Sequence, residues 1–235
     1  MGDGLNRREF LELGAVGLGT ALAAGSAAGQ AATEAPRTLR VGVVGTGGRG
    51  TSLLSTMLTM PDVAFPALCD INADNLARAQ AMVESAGKPK PEGYSDGEEA
   101  FRALMARGDL DAVILATPWQ WHTPMGVCAM EHGIYAGMEV PCALSLDDCW
   151  QLVDTHEKTG VPCMMMENWS FRRDNLAVLR MIREGLLGEI MHCHCAHSHN
   201  CVPHWFFDTE GNIRWGGEFL VNHNRDQYPT HSLGP

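Results

Sequence analysis

The clearest chemistry in the chain lies in a glycine-rich stretch, Gly45-Thr46-Gly47-Gly48-Arg49-Gly50, followed about 20 residues later by Asp70. Glycines spaced as Gly-x-Gly-x-x-Gly suit a turn that wraps a pyrophosphate. Gly45 makes the tight turn, Gly47 lets the backbone approach the phosphates, and Gly50 lets the next helix pack against the strand. A helix opening at such a turn offers N–H groups and about half a positive charge to an anion. An acid ending the next strand accepts hydrogen bonds from the adenosine ribose and repels a 2′-phosphate, so NAD is expected rather than NADP. The glycine spacing alone is a weak signal. Its context, after an apolar run, before a helical one and with the acid in place, is the strong form. The plainer alternatives are an ordinary strand–helix turn for the glycines and a helix-capping acid for Asp70.

The elements that must position these groups alternate strand and helix. Leu39 to Gly45 is a nearly continuous apolar run, as a central parallel strand requires. Further strands are expected over 63–69, 111–116, 134–138 and 161–166, with helices over 50–59, 72–85, 98–107, 123–132 and 145–159. Asn72 and Ser145 are expected caps, and Asp147 and Asp148 fall where a helix dipole favours acids. Lys88 to Gly93 reads as a Pro-rich loop. Repeated β-α units of this length imply an α/β fold, a doubly wound parallel Rossmann sheet over 38–167. Ligands of such sheets sit beyond the carboxyl ends of the strands. Thr117-Pro118, Glu139-Val140-Pro141 and Glu167-Asn168 all fall at those ends. After residue 167 the pattern changes. An amphipathic helix over 173–184 and an alternating strand over 189–198 read as the beginning of a second, α+β domain over 168–235, for substrate. That domain is not complete at Pro235, so a fragment of a longer protein is expected.

The formal net charge of −11 argues against a nucleic-acid partner, which needs a basic face. Hydrophobic residues make up 45% of the chain, enough for a buried core. Arg7-Arg8-Glu9-Phe10-Leu11, with an uncharged Leu/Ala/Val/Gly run from Leu13 to Ala28 after it, resembles a twin-arginine export signal. Residues 1–35 are read as this signal and its linker, with cleavage between Ala24 and Ala35 and a periplasmic or exported product. The run is too short and Gly-rich for a membrane span, so the membrane is met only through the signal. The sequence is compatible with a homo-oligomer.

In order, Gly45 to Gly50, Asp70, Thr117-Pro118 with His122, and Glu139-Val140-Pro141 resemble the Gfo/Idh/MocA family of dinucleotide-dependent, sugar-active oxidoreductases. Gly45 to Thr51, Trp121-His122-Thr123-Pro124-Met125, Met165-Met166-Glu167-Asn168 and Tyr228-Pro229-Thr230-His231 look like one branch, glycoside hydrolase family 109. The resemblance runs from about residue 38 to the end. It implies NAD as cofactor and a carbohydrate as substrate. Cofactor contacts are expected from Gly45, Thr46, Gly47, Gly48, Arg49, Gly50, Asp70, Thr117, Pro118, Trp121, His122 and Glu139. Substrate contacts are expected from Glu139, Glu167, Asn168, Tyr228 and His231.

The parent family usually carries a proton-transferring lysine where this chain has Val140, and valine moves no proton. The branch chemistry implied is glycoside cleavage by transient oxidation at C3, elimination across C1–C2 and addition of water. Tyr228 and His231 are the catalytic candidates: His titrates near neutral pH, and Tyr can shuttle a proton. Three residues apart, the two converge if the segment forms one helical turn. A structural Tyr–His pair, a capping Glu139 and a packed His122 are the competing readings. The branch carries Tyr near Phe171, a departure that puts the N-acetylgalactosamine substrate in question. Two other functions stay open: an NAD(P)-dependent sugar dehydrogenase, and an NAD-binding fragment without activity.

One motif fits neither scheme. His192, Cys193, His194, Cys195, His197, His199 and Cys201 crowd one short segment. Same-face strand neighbours lie about 7 Å apart, too far to close a tetrahedral metal site without a bend. No metal is expected there; the polar face is read as lining the substrate cleft or as covered by the first domain.

Overall fold

The computed structural model describes residues 37–198, 200, 202–223 and 230–233. The leader region, His199, Cys201 and Tyr228 lie outside the described residues. The first unit of the fold is β1 (Leu39–Val44), leading through the glycine turn into α1 (Gly48–Leu58). Val43 and Val44 are buried in separate hydrophobic clusters on opposite sides of the sheet, as strand alternation demands.

The expected strand over 63–69 is two pieces, β2 (Val63–Ala64) and β3 (Ala67–Cys69), both parallel to β1. Phe65-Pro66 separates them, and proline brings no N–H to the ladder. α2 (Ala73–Ser85) follows, its first N–H groups capped by the Asn72 side chain. Next come β4 (Glu92–Tyr94), α3 (Ala100–Met105), β5 (Ala112–Leu115), α4 (His122–Glu131), β6 (Tyr135–Met138), α5 (Leu146–Thr159) and β7 (Cys163–Met165). α5 starts on a Ser145 cap and stops at Gly160, which takes φ +71°.

Across the sheet the order is β4-β3-β1-β5-β6-β7, all pairs parallel. The order reverses between β1 and β5, which opens a crevice at their carboxyl ends. Phe101, Leu104, Met105, Met130 and Ile134 fill one face, and Leu54, Leu76, Ala79 and Val83 the other. β4 corrects the loop expected over 88–93. Glu92–Tyr94 is too short and polar to carry a periodic signal, and pairing with β3 makes it a strand.

Beyond β7 a 3₁₀ turn (Trp169–Phe171) leads to α6 (Arg173–Arg183), whose apolar side chains, Leu176 and Leu179 among them, stand exposed. The strand expected over 189–198 is irregular chain. Alternation provides only a capacity to pair, and among the described residues no strand accepts its backbone. A π-type turn (Val202–Phe206), α7 (Trp215–His223) and the short α8 (Thr230–Leu233) complete the described chain. No described helix is long and apolar enough to cross a membrane.

Candidate functional site

At the end of β1 the backbone turns on Gly45, with φ +83° and its N–H bonded to Cys69 O at 2.8 Å. A Cβ on Gly45 would lie 2.7 Å from Ala116 O, and one on Gly50 only 1.8 Å from Gly45 O. These two glycines are sterically required. Gly47 and Gly48 differ: a Cβ on Gly47 meets only Asn75 Nδ2 at 3.9 Å, and one on Gly48 meets nothing within 4 Å. The side-chain space they leave open faces a cleft of about 1160 Å³. Gly47 precedes α1 without a side-chain cap, whereas Asn72 and Ser145 cap α2 and α5. An uncapped helix start beside bare backbone suits a phosphate group.

Asp70, buried at the end of β3, reaches this turn across 24 residues of sequence. Its Oδ2 accepts from Thr46 N at 2.7 Å and Thr46 Oγ1 at 3.1 Å, and Oδ1 accepts from Asn72 N at 2.8 Å. The acid is therefore fixed beside the glycine turn and lines the cleft. Burial, with the Asp70 charge adding to it, pushes the adjacent Cys69 thiol up to about 12.

On the facing side, Thr117, Pro118, Trp121 and Glu139 line the same cleft. Arg49 crosses from the turn to the end of β6, placing Nε at 2.7 Å and Nη2 at 2.6 Å from Glu139 Oε1. His122 has no solvent exposure, and its ring spans two loops, with Nδ1 2.7 Å from Pro141 O and Nε2 2.9 Å from Thr117 O. Thr123 Oγ1 adds a bond to Cys142 O at 3.0 Å. Burial pushes the His122 pKa down, against the opposing pull of the two carbonyls and Glu139. Both ring nitrogens are engaged by backbone, so His122 braces the cofactor-facing loops and does not offer its polar atoms to a ligand.

The same cleft continues to Asn168, Trp169, Trp205, Arg214, Trp215 and His231. His231 enters on α8, and its Nδ1 lies 2.7 Å from Glu167 Oε2, 64 residues earlier in sequence. Glu167 Oε1 accepts from Trp169 N at 2.7 Å. Both Glu167 oxygens are thus committed and its side chain is only 6% exposed. A second-layer carboxylate of this kind fixes the orientation and tautomer of an imidazole.

Three expected contact residues stand behind the cleft wall. Thr46 is fully buried and bonded to Asp70, Gly50 packs under Gly45, and Glu167 holds His231. The remaining expected residues that are described all line the cleft, with His122 reaching it only from within the wall.

Trp119 was not among the expected site residues. Its ring meets Trp205, Trp215 and Phe219 edge-on at 5.3, 5.0 and 4.7 Å, and so docks the 202–223 segment beside the cleft. A tryptophan two places after Thr117 carries no signal of that partnership, because the partners lie far downstream. Among the described residues no group of three or more His, Cys, Asp or Glu is placed to hold a metal, and Cys193 and Cys195 are exposed.

A parallel sheet with this strand order, a glycine turn at the switch point and an acid clamped to that turn defines a dinucleotide-binding Rossmann domain. The chain belongs to the Gfo/Idh/MocA oxidoreductase family, whose NAD-binding Rossmann-fold model matches residues 39–167. Residues 171–235 match the C-terminal domain of glycosyl hydrolase 109.

A glycosyl hydrolase family 109 protein of Saccharopolyspora erythraea is 43% identical over 204 residues, covering 87% of this chain and 44% of that protein. An alpha-N-acetylgalactosaminidase of Bacteroides fragilis is 40% identical over 200 residues, covering 84% and 47%. The chain thus spans about half the length of these relatives. Among solved structures, scyllo-inositol dehydrogenase from Lactobacillus casei with bound NAD(H) and scyllo-inositol superposes with TM-score 0.58 at 18% identity, over 65% of this chain and 43% of that one. The WlbA dehydrogenase of Bordetella pertussis, in complex with NADH and UDP-GlcNAcA, gives TM-score 0.56 at 23% identity, over 65% and 44%. These structures share the fold.

Proposed function

We propose that this chain contributes the cofactor site and part of the sugar site of an NAD-dependent glycosidase. The observation that carries the reading is His231, on the wall of the same cleft that the glycine turn and Asp70 line, with Glu167 2.7 Å behind its Nδ1. When bound, NAD would supply a transient acceptor for the hydride of the sugar C3, which acidifies the C2 proton and permits loss of the C1 substituent; after water adds at C1, the returned hydride would restore C3 and the cofactor.

The protein's own part is to hold and to move protons. Gly47 and Gly48 keep side chains out of the pyrophosphate path, and Asp70 holds the adenosine ribose. Glu139, held by Arg49, faces the middle of the cleft. With Nδ1 on Glu167, His231 exchanges protons through Nε2, and Tyr228 is its expected partner. Val140, 7% exposed and aliphatic, stands where a dehydrogenase of this family uses lysine, which favours net hydrolysis over net oxidation. Trp205 and Trp215 give the substrate end aromatic surface suited to a carbohydrate.

The test is to incubate the full-length protein, carrying its own NAD, with aryl α-N-acetylgalactosaminide and related aryl glycosides. Release of the phenol without accumulation of NADH is expected. Stoichiometric NADH from a free sugar would establish a sugar dehydrogenase instead, and inertness in both assays with NAD bound would leave only a cofactor-binding role. We also propose that residues 1–35 direct export through the twin-arginine route. An Arg7→Lys/Arg8→Lys double variant is expected to stay in the cytoplasm.

A further inference from the structure

The His/Cys-rich segment has no part in the reading above, yet it places one side chain at the reaction centre. Across 191–198 every described residue is exposed except His197, which is half-buried. Its ring centroid lies 5.1 Å from that of His231 with the planes at 66°, and 5.2 Å from Trp169 at 73°. Trp169 in turn lies 5.9 Å from His231 at 48°. The three rings pack mutually, while Glu167 holds His231 at Nδ1.

We propose that His197 is a positioning residue for the His231 imidazole, and that this is the task of the segment carrying it. A hydrogen bond at one edge of a ring does not by itself set the ring's rotation about the Cβ–Cγ bond. A reacting group needs its direction fixed to within about 10–20° by packing from supporting residues. Glu167 fixes the edge of the ring, and Trp169 and His197 limit the swing. Trp169 is itself tied into this group: its backbone N–H donates to Glu167, and the Arg172 guanidinium lies 4.6 Å from its ring. Among the described residues, the irregular segment supplies His197 to this group, so the conformation of 191–198 is linked to the reaction centre through its ring.

The inference rests on His231 acting in proton transfer, so its test includes a readout that needs no turnover. In full-length protein labelled with 15N-histidine, the tautomer of His231 is read by proton–nitrogen correlation in the parent, His197→Ala and His197→Phe. The parent is expected to show a single Nδ1–H tautomer, His197→Ala a mixed or exchange-broadened imidazole, and His197→Phe the parent pattern, because a ring of similar shape restores the packing. Turnover of the aryl glycoside should follow the same order. His197→Ala is expected to lose about tenfold in kcat with KM within about twofold, and His197→Phe to recover most of the loss. Cys193→Ser, at an exposed position, is the folding and labelling control.

An unchanged His231 signal in His197→Ala overturns the proposal, whatever the activity. So does a His197→Phe variant as disturbed as the alanine. If no variant nor the parent turns over any glycoside while the His231 signal still responds to His197, the glycosidase reading fails and the positioning role stands.

Discussion

Replacing Gly50 by alanine tests the cofactor cradle directly. The new Cβ would lie 1.8 Å from Gly45 O and 2.9 Å from Gly45 C, where ordinary nonbonded contact is about 3.5 Å. Relief therefore needs a backbone displacement of about 1.5 Å. Gly45 has little room to supply it. Its φ is +83°, its N–H is bonded to Cys69 O at 2.8 Å, and its own missing Cβ position is 2.7 Å from Ala116 O. Overpacking of this kind costs about 1–3 kcal/mol of stability and sometimes more. A shift of about 1.5 Å also takes N–H groups out of hydrogen-bond range of a phosphate, since the useful range is only about 2.7–3.2 Å. Losing one charge-assisted bond of about 1.5–3 kcal/mol weakens NAD binding by about 10- to 150-fold.

Gly48→Ala is the matched control for stability. Its Cβ meets nothing within 4 Å, and alanine improves on glycine in a helix by up to about 1 kcal/mol. Titration with NADH, followed by nucleotide fluorescence, and thermal unfolding of the three proteins are the assays. Gly50→Ala is expected to bind NADH at least about tenfold more weakly and to melt earlier, whereas Gly48→Ala melts no earlier than the parent. A Gly50→Ala protein with parental affinity and melting temperature would refute the steric argument and, with it, the assignment of the turn.

Other expectations follow from single contacts. Glu167→Gln lets the amide oxygen accept from Trp169 N but turns an N–H toward His231 Nδ1, so the imidazole must adopt the Nε2–H tautomer. A fall in kcat of about 10- to 100-fold is expected, from loss of a charged hydrogen bond of about 1.5–3 kcal/mol, with NAD binding retained in the same titration. Asp70→Ala leaves the Thr46 N–H without its partner, at a cost of about 1–3 kcal/mol, and should raise the preference for NADP relative to NAD in competitive binding. His122 has its pKa held below that of the unfolded chain by burial. The unfolded state then binds more protons, so stability is lost as pH falls from about 6.5 toward the native value, by up to about 1.4 kcal/mol per pH unit. Urea unfolding across that range should show a steeper loss in the parent than in His122→Gln. Cys69, buried and pushed up to about 12, should resist a thiol reagent at pH 8 in the folded protein, while the exposed Cys149, Cys193 and Cys195 react; mass mapping of the labelled peptides reads this out.

Local order carried most of the Rossmann unit into view from the sequence alone. The apolar run at Leu39–Val44, the glycines that follow it, the Asn72 and Ser145 caps and the acid at position 70 are short-range facts. Their physical demands, a tight turn, an uncapped helix start and a strand buried on both faces, are met within a few residues of themselves. Tertiary structure decided what depends on partners distant in the chain. Glu92–Tyr94 is a strand because β3 lies beside it, and 189–198 is not one because no described strand does. Glu167 read as a substrate contact until folding brought His231 against it, and His122 read as a cofactor contact until two backbone carbonyls enclosed its ring. Residue types and spacing along a chain specify which groups are available. Which of them meet, and which are spent on one another before any ligand arrives, depends on three-dimensional distances that local spacing does not encode.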